Sequence, residues 1–210
     1  MQKNINEILN ILDFYYLDAK CELNFNSPYQ LLVAVILSAQ CTDKRVNIVS
    51  EKLFKLAPTA EKMLELGEEK LKQIIKPCGF FNNKAKSIMQ ASIDIVNKFG
   101  GEIPSNRQDL ESLAGVGRKT ANVVLAENFG IDEIAVDTHV LRLSKRLNLT
   151  TKNATPLKCE KDLLKIVPKD RRIKFHHQMI MFGRYKCKAL KPDCTECKMQ
   201  PYCKYYKGRK

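Results

Sequence analysis

Four of the eight cysteines in this chain, Cys187, Cys194, Cys197 and Cys203, fall within seventeen residues near the C-terminus, separated by six, two and five residues. A segment that short cannot build a packed core of its own. Thiolates converging on a metal centre would supply the missing order. The spacing alone leaves two centres open, a tetrathiolate zinc ion and an iron-sulfur cluster, although zinc modules usually offer two CxxC pairs and this segment has one. Either centre is structural, because four protein thiolates leave no open coordination position.

The compartment decides how the other cysteines are read. No run of about 18 apolar residues occurs, and the N-terminal stretch MQKNINEILNILDFYYLDAK carries Asn, Glu and Asp where a signal peptide would be continuously apolar. A cytoplasmic protein with no membrane segment is expected. Cys21, Cys41, Cys78 and Cys159 are then reduced packing residues. Thirty-six Lys and Arg against twenty-three Asp and Glu give a net charge of +13, which favours a polyanionic partner through attraction and counterion release. The excess is uneven. Residues 184–210 hold nine Lys or Arg against Asp193 and Glu196 alone, so the basic surface gathers around the cysteine loop and points to nucleic acid.

Apolar residues recur every three to four positions, as in Ile8, Leu9, Ile11 and Leu12 or Val46, Val49 and Leu53, and an all-α fold is expected. A hydrophobic content of 44% over 210 residues suffices for two lobes. Ser27-Pro28 reads as an N-cap and first helical residue before YQLLVAVILSAQ, a helix apolar on all faces and therefore central to its lobe. Pro58-Thr59 closes the helix of DKRVNIVSEKLFKL. Further helices are expected at 68–76, 83–98, 107–113, 118–128, 138–147, 155–166 and 171–184.

Two segments carry candidate chemistry. At Leu113-Ala-Gly115-Val116-Gly117-Arg118-Lys119 a short helix meets two glycines and a second helix begins, a helix-hairpin-helix in which the glycines permit backbone angles that side chains resist. The unpaired amides opening the second helix can receive a phosphate oxygen. A plain tight turn would carry the same glycines. Lys119 stands in the first turn of that helix, where the macrodipole and Arg118 disfavour an ammonium and, given some desolvation, favour an amine that can attack an electrophilic carbon. An ordinary phosphate contact is the alternative. Further on, Asp137 in Ile134-Ala-Val-Asp137-Thr-His139 precedes an amphipathic helix; it is either an N-cap alone or a carboxylate placed to stabilise positive charge developing on a sugar.

Taken together, LAGVGRKTANVVL at 113–125, AVDTHV at 135–140, LLVAVILSAQCTD at 31–43 and the four-cysteine loop resemble the endonuclease III family of the helix-hairpin-helix DNA glycosylase superfamily. The motifs stand in the family's order from residue 31 to 203. This resemblance implies an all-α, two-lobed protein: a helical barrel with the hairpin at 22–131, and a second lobe from 1–21 and 132–210 that carries a 4Fe-4S cluster on the loop at 187–203. The cleft between them would be the active site. It implies a monomeric, nucleoid-associated enzyme of base excision repair that excises oxidised pyrimidines from duplex DNA and cleaves the strand at the abasic sugar by β-elimination. By motif position Lys119 would be the nucleophile and Asp137 the catalytic carboxylate. Cys187, Cys194, Cys197 and Cys203 would ligate the cluster.

A base inside the stack is out of reach of Lys119 unless the nucleotide is extruded. In the family's motif positions Gln40 would enter the vacated space and Phe80 would act as the wedge, although the family often has Leu there and Phe80 could equally be a core residue. Leu113, Gly115, Val116 and Gly117 would meet the backbone at the hairpin, Lys188 and Lys191 would meet it from the first inter-cysteine loop, and His139 is either a pocket residue or a surface imidazole. His176 and His177 match no motif and read as structural. Two rivals remain. An adenine mismatch glycosylase shares these motifs, but usually lacks a lysine at the position of Lys119 and has an extra C-terminal domain, for which the seven residues after Cys203 leave no room. A non-catalytic binder would use the hairpin and basic loop only to hold DNA backbone.

Overall fold

The computed structural model describes residues 4–208; Met1–Lys3 and Arg209–Lys210, the ends of the expected second lobe and of the basic run, lie outside the described residues. Among the described residues twelve α-helices occur in the order α1 (Ile5–Tyr16), α2 (Pro28–Ser38), α3 (Asp43–Leu56), α4 (Ala60–Leu66), α5 (Glu68–Ile75), α6 (Phe81–Phe99), α7 (Arg107–Ser112), α8 (Arg118–Phe129), α9 (Thr138–Arg146), α10 (Pro156–Ile166), α11 (Arg172–Met181) and α12 (Lys204–Lys207). No strand is present among the described residues. The chain divides into two compact units, Glu22–Phe129 on one side and Met1–Cys21 with Gly130–Lys210 on the other.

The first unit forms around α2. Ser27 caps it by accepting the Gln30 amide, Pro28 occupies its first position, and every residue from Tyr29 to Leu37 is buried. At about 1.5–3 kcal/mol for each large apolar side chain withdrawn from water, this one helix contributes a large share of the stability of its unit. Helices α3, α6 and α8 pack against it, α4 and α5 pack on α6, and α7 lies against α8. The helix ends at Ser38, so Ala39 and Gln40 stand outside it. Helix α4 has no counterpart in the sequence reading. Its seven residues bury only Ala60 and Met63, too little periodicity to stand out between α3 and α5.

The second unit joins the two ends of the chain. Apolar residues of α1, α9, α10 and α11 make its core, with Leu12, Leu163, Phe175 and Met179 fully enclosed. Asp13 on α1 receives bonds from Arg171 at 2.7 Å and from Gln178 at 2.8 Å, tying residues more than 150 positions apart. The expected helix at 171–184 divides. Helix α11 stops at Met181 and the chain widens into a π-turn over Phe182–Lys186, closed by the Cys187 amide on the Phe182 carbonyl at 2.7 Å. Gly183 allows this, since a Cβ there would lie 2.9 Å from the His139 Cβ.

Candidate functional site

In the first unit the hairpin is anchored from below and open above. Leu113 and Val116 are 2% and 5% exposed, so their side chains belong to the core, and any contact they make with DNA runs through the backbone. The Val116 amide bonds back to the Leu113 carbonyl at 3.1 Å and closes the turn. Of the two glycines only Gly115 has a positive φ, at 79°, and a Cβ on it would fall 2.8 Å from the Ser87 Cβ. This corrects the expectation that both need unusual angles: Gly117 is conformationally ordinary, and a Cβ there would meet nothing within 4 Å. Its bare backbone instead leaves room at the mouth of α8. Lys119 follows in the first turn of α8 and is exposed.

Gln40 and Phe80 share one surface. Both adopt left-handed backbone angles, φ 52° and 46°, a conformation that costs a non-glycine residue roughly 1–2 kcal/mol and is concentrated at functional sites. Phe80 is 64% exposed, which removes the alternative that it is a core residue. Together with Ile36, Ala39, Asn83, Lys84, Ser87 and Gly115, the two residues line a recess of 240 Å³. Lys84 is the participant that sequence reasoning missed. It is buried, and its Nζ donates to the Leu37 and Cys78 carbonyls, each at 2.8 Å, joining the end of α2 to the turn before Phe80. Burial pushes its pKa down. Its position on α6 in register with Ile88, Ala91 and Ile95 was the available signal: a lysine on an apolar stripe needs a partner.

In the second unit Asp137 caps α9, its Oδ1 accepting the Val140 amide at 2.7 Å. Half-buried His139 is not a surface imidazole. Its Nδ1 lies 3.2 Å from Arg142 Nη2, so the ring accepts there when neutral. Burial holds its pKa below the ordinary value; Asp137 opposes the shift, and the charges of Arg142 and Arg184 add to it. The same Arg142 nitrogen donates to the carbonyls of Gly183 at 2.9 Å and Cys187 at 3.1 Å.

One turn on, Arg146 organises the start of the cysteine loop. It donates to Cys187 Sγ at 3.0 Å, Lys188 O at 2.8 Å and Ala189 O at 3.0 Å, and its guanidinium stacks 4.3 Å from the Tyr205 ring centre. Lys186 pairs with Asp193 at 2.6 Å and Gln200 donates to Cys194 O at 2.7 Å. Lys188 and Lys191 are exposed. Arg142 and Arg146 also escaped the sequence reading, because two cations late in an amphipathic helix look like a solvated face.

The thiol environment suits a metal-sulfur group. Cys187, Cys197 and Cys203 pack on the same apolar cluster, and burial pushes the Cys187 and Cys197 thiols up, so a cation must offset the desolvation of their thiolates. N–H donors already face sulfur, from Arg146 to Cys187 and from the Tyr206 amide to Cys203 at 3.4 Å, the type of contact that tunes cluster ligands. Among the described residues no three His, Cys, Asp or Glu side chains gather as a single-ion site. No helix among them is long and apolar enough to cross a membrane.

A model of the HhH-GPD superfamily, base excision DNA repair proteins, matches residues 33–169. The endonuclease III of Haemophilus influenzae is 50% identical over 184 residues, spanning 88% of this chain and 87% of that protein. That of Escherichia coli is 46% identical over 185 residues, with coverage of 88% and 87%. A non-covalent endonuclease III–DNA complex has a TM-score of 0.95 at 43% identity, covering 100% of this chain and 98% of the other. A trapped endonuclease III–DNA covalent intermediate matches equally well. Fold and hairpin thus define a helix-hairpin-helix repair protein. Within that superfamily, the chain belongs to the endonuclease III family.

Proposed function

We propose that Lys119 and Asp137 are the catalytic residues of this enzyme, a bifunctional DNA glycosylase and abasic-site lyase of base excision repair. Its substrate is duplex DNA bearing an oxidised pyrimidine or an abasic site, met by a monomer at the nucleoid in the cytoplasm. The lobes are 22–131, and 1–21 with 132–210. At the hairpin, amides from Gly115 through the first turn of α8 hold a backbone phosphate. Gln40 and Phe80 fill the gap left by the extruded nucleotide. The bound duplex covers Lys119 and excludes water from it.

The Lys119 Nζ then attacks the deoxyribose C1′ as the damaged base departs, and Asp137 stabilises the positive charge that builds on the sugar. The sugar ring then opens as the C1′–O4′ bond breaks and O4′ takes a proton, and the resulting Schiff base acidifies C2′. Loss of the C2′ proton expels the 3′ phosphate and breaks the strand. Cys187, Cys194, Cys197 and Cys203 hold a 4Fe-4S cluster, which when bound supplies a fully ligated structural anchor. Arg142 and Arg146 orient its loop so that Lys188 and Lys191 reach the DNA backbone, and His139 contributes from the first turn of α9.

The placement of Lys119, exposed and two residues past an open glycine at a helix mouth, is the observation that carries this reading. Borohydride trapping on a duplex with a single oxidised pyrimidine tests it. The Lys119→Ala variant should form no covalent complex and cleave at least about 10³-fold more slowly. Asp137→Asn, which keeps an N-cap but not the charge, should slow base release by about 10²-fold. A Lys119→Ala enzyme that still becomes trapped on DNA would refute the assignment.

A further inference from the structure

Two cysteines that the site does not use sit directly beside the two residues proposed to enter the duplex. Cys41 follows Gln40, and Cys78 is separated from Phe80 only by Gly79. Cys78 is 1% exposed, while Cys41 is half-buried and packs on the same core cluster. The two side chains lie within hydrogen-bonding reach of each other. Lys84 fixes this arrangement by bonding the carbonyl of Cys78 itself and that of Leu37 in the last turn of α2. Both thiols are free. Lys84 thus holds the turn that carries Cys78 against Leu37 at the end of α2, four residues before Cys41.

We propose that Cys41 and Cys78 form a redox modification site, oxidised by a hydroperoxide to a disulfide that fastens the Gln40 and Phe80 segments together. Solvent reaches Cys41, so its sulfur attacks the peroxide oxygen and becomes a sulfenic acid, and the released hydroxide leaves as water with the thiol proton. Cys78 then displaces the sulfenic hydroxyl as a second water. Two thiols and one hydrogen peroxide give one disulfide and two waters, with both electrons passing to the peroxide. Burial first, then the neighbouring Cys41, pushes the Cys78 thiol up to about 11, while Lys84 and Arg45 favour its thiolate. That balance suits a resolving partner that stays reduced until a sulfenic acid stands next to it. The effect on DNA rests on the proposed roles of Gln40 and Phe80: once tied together they cannot adjust separately to a gapped duplex, and binding weakens.

The bond is tested on the holoenzyme without DNA, so its outcome is independent of the Lys119 chemistry. After hydrogen peroxide treatment, non-reducing tryptic mapping should find residues 21–44 joined to residues 73–84 with two hydrogens lost. The link should persist in Cys21→Ser and vanish in Cys41→Ser. A link that survives Cys41→Ser, or a Cys78 that remains open to alkylation after unfolding while Cys41 is oxidised beyond sulfenic acid, overturns the site. Affinity for a duplex with an abasic analogue should fall at least tenfold on oxidation and return with dithiothreitol. Cys41→Ser enzyme treated identically should keep its affinity, which separates the latch from damage to the cysteine loop. An equal loss in that variant, or a bond with no change in affinity, overturns the regulatory effect.

Discussion

The hairpin and the cysteine loop are ordered by opposite means. Leu113 and Val116 seat the hairpin in a continuous apolar core, whereas within residues 187–203 only Met199 is buried. Beyond the packing of three of its cysteines on their apolar cluster, the cysteine loop rests on side chains that reach its carbonyls, from Arg142, Arg146 and Gln200, and on the Lys186–Asp193 pair. Apolar burial holds a turn without outside help. Such a loop needs something more, because an exposed ion pair contributes only about 0–1 kcal/mol, and the proposed metal-thiolate centre would supply it.

The largest expected effect separates the two segments directly. Removing iron from the purified enzyme, or replacing Cys197 with Ser, should raise tryptic cleavage at Lys188 and Lys198 at least about tenfold while the Glu22–Phe129 unit stays resistant. Equal resistance with and without metal would break the comparison. Next in size, Leu113→Ala should cost about 2–5 kcal/mol in urea unfolding and leave iron content unchanged; iron loss in that variant would mean that the two segments share one source of order.

The smallest effect concerns His139. Its folded pKa lies below that of the unfolded chain, about 6.5, so as pH falls through 6.5 the unfolded state takes up a proton that the folded state refuses. Stability contributed by this residue is complete above 6.5 and declines below it. Urea midpoints at pH 7.5 and 5.5 should differ less in His139→Gln than in the parent. An unchanged pH difference would remove the histidine from the balance that holds α9.

Helices and their caps were legible because they are local. Ser27-Pro28 and Asp137 announced α2 and α9, and the all-apolar run 31–37 announced a buried centre. The comparisons bear out the family resemblance that joined these motifs. Contacts made across the chain were not legible. Nothing in one sequence says that Arg146 will reach carbonyls more than forty positions away, or that Lys84 will be enclosed. The inverted backbone at Gln40 and Phe80 was equally hidden, since neither is a residue that favours it.

The wide turn at Phe182–Lys186 makes this part of the molecule sensitive to chain length in a way that composition is not. An ordinary α-helix advances about 100° per residue, so losing one residue from the turn would let α11 continue smoothly and carry Cys187 a quarter-revolution or more away from Arg146. Substitutions there change a side chain. A one-residue deletion would change the phase of everything downstream, and the four thiols would arrive out of step with their supports.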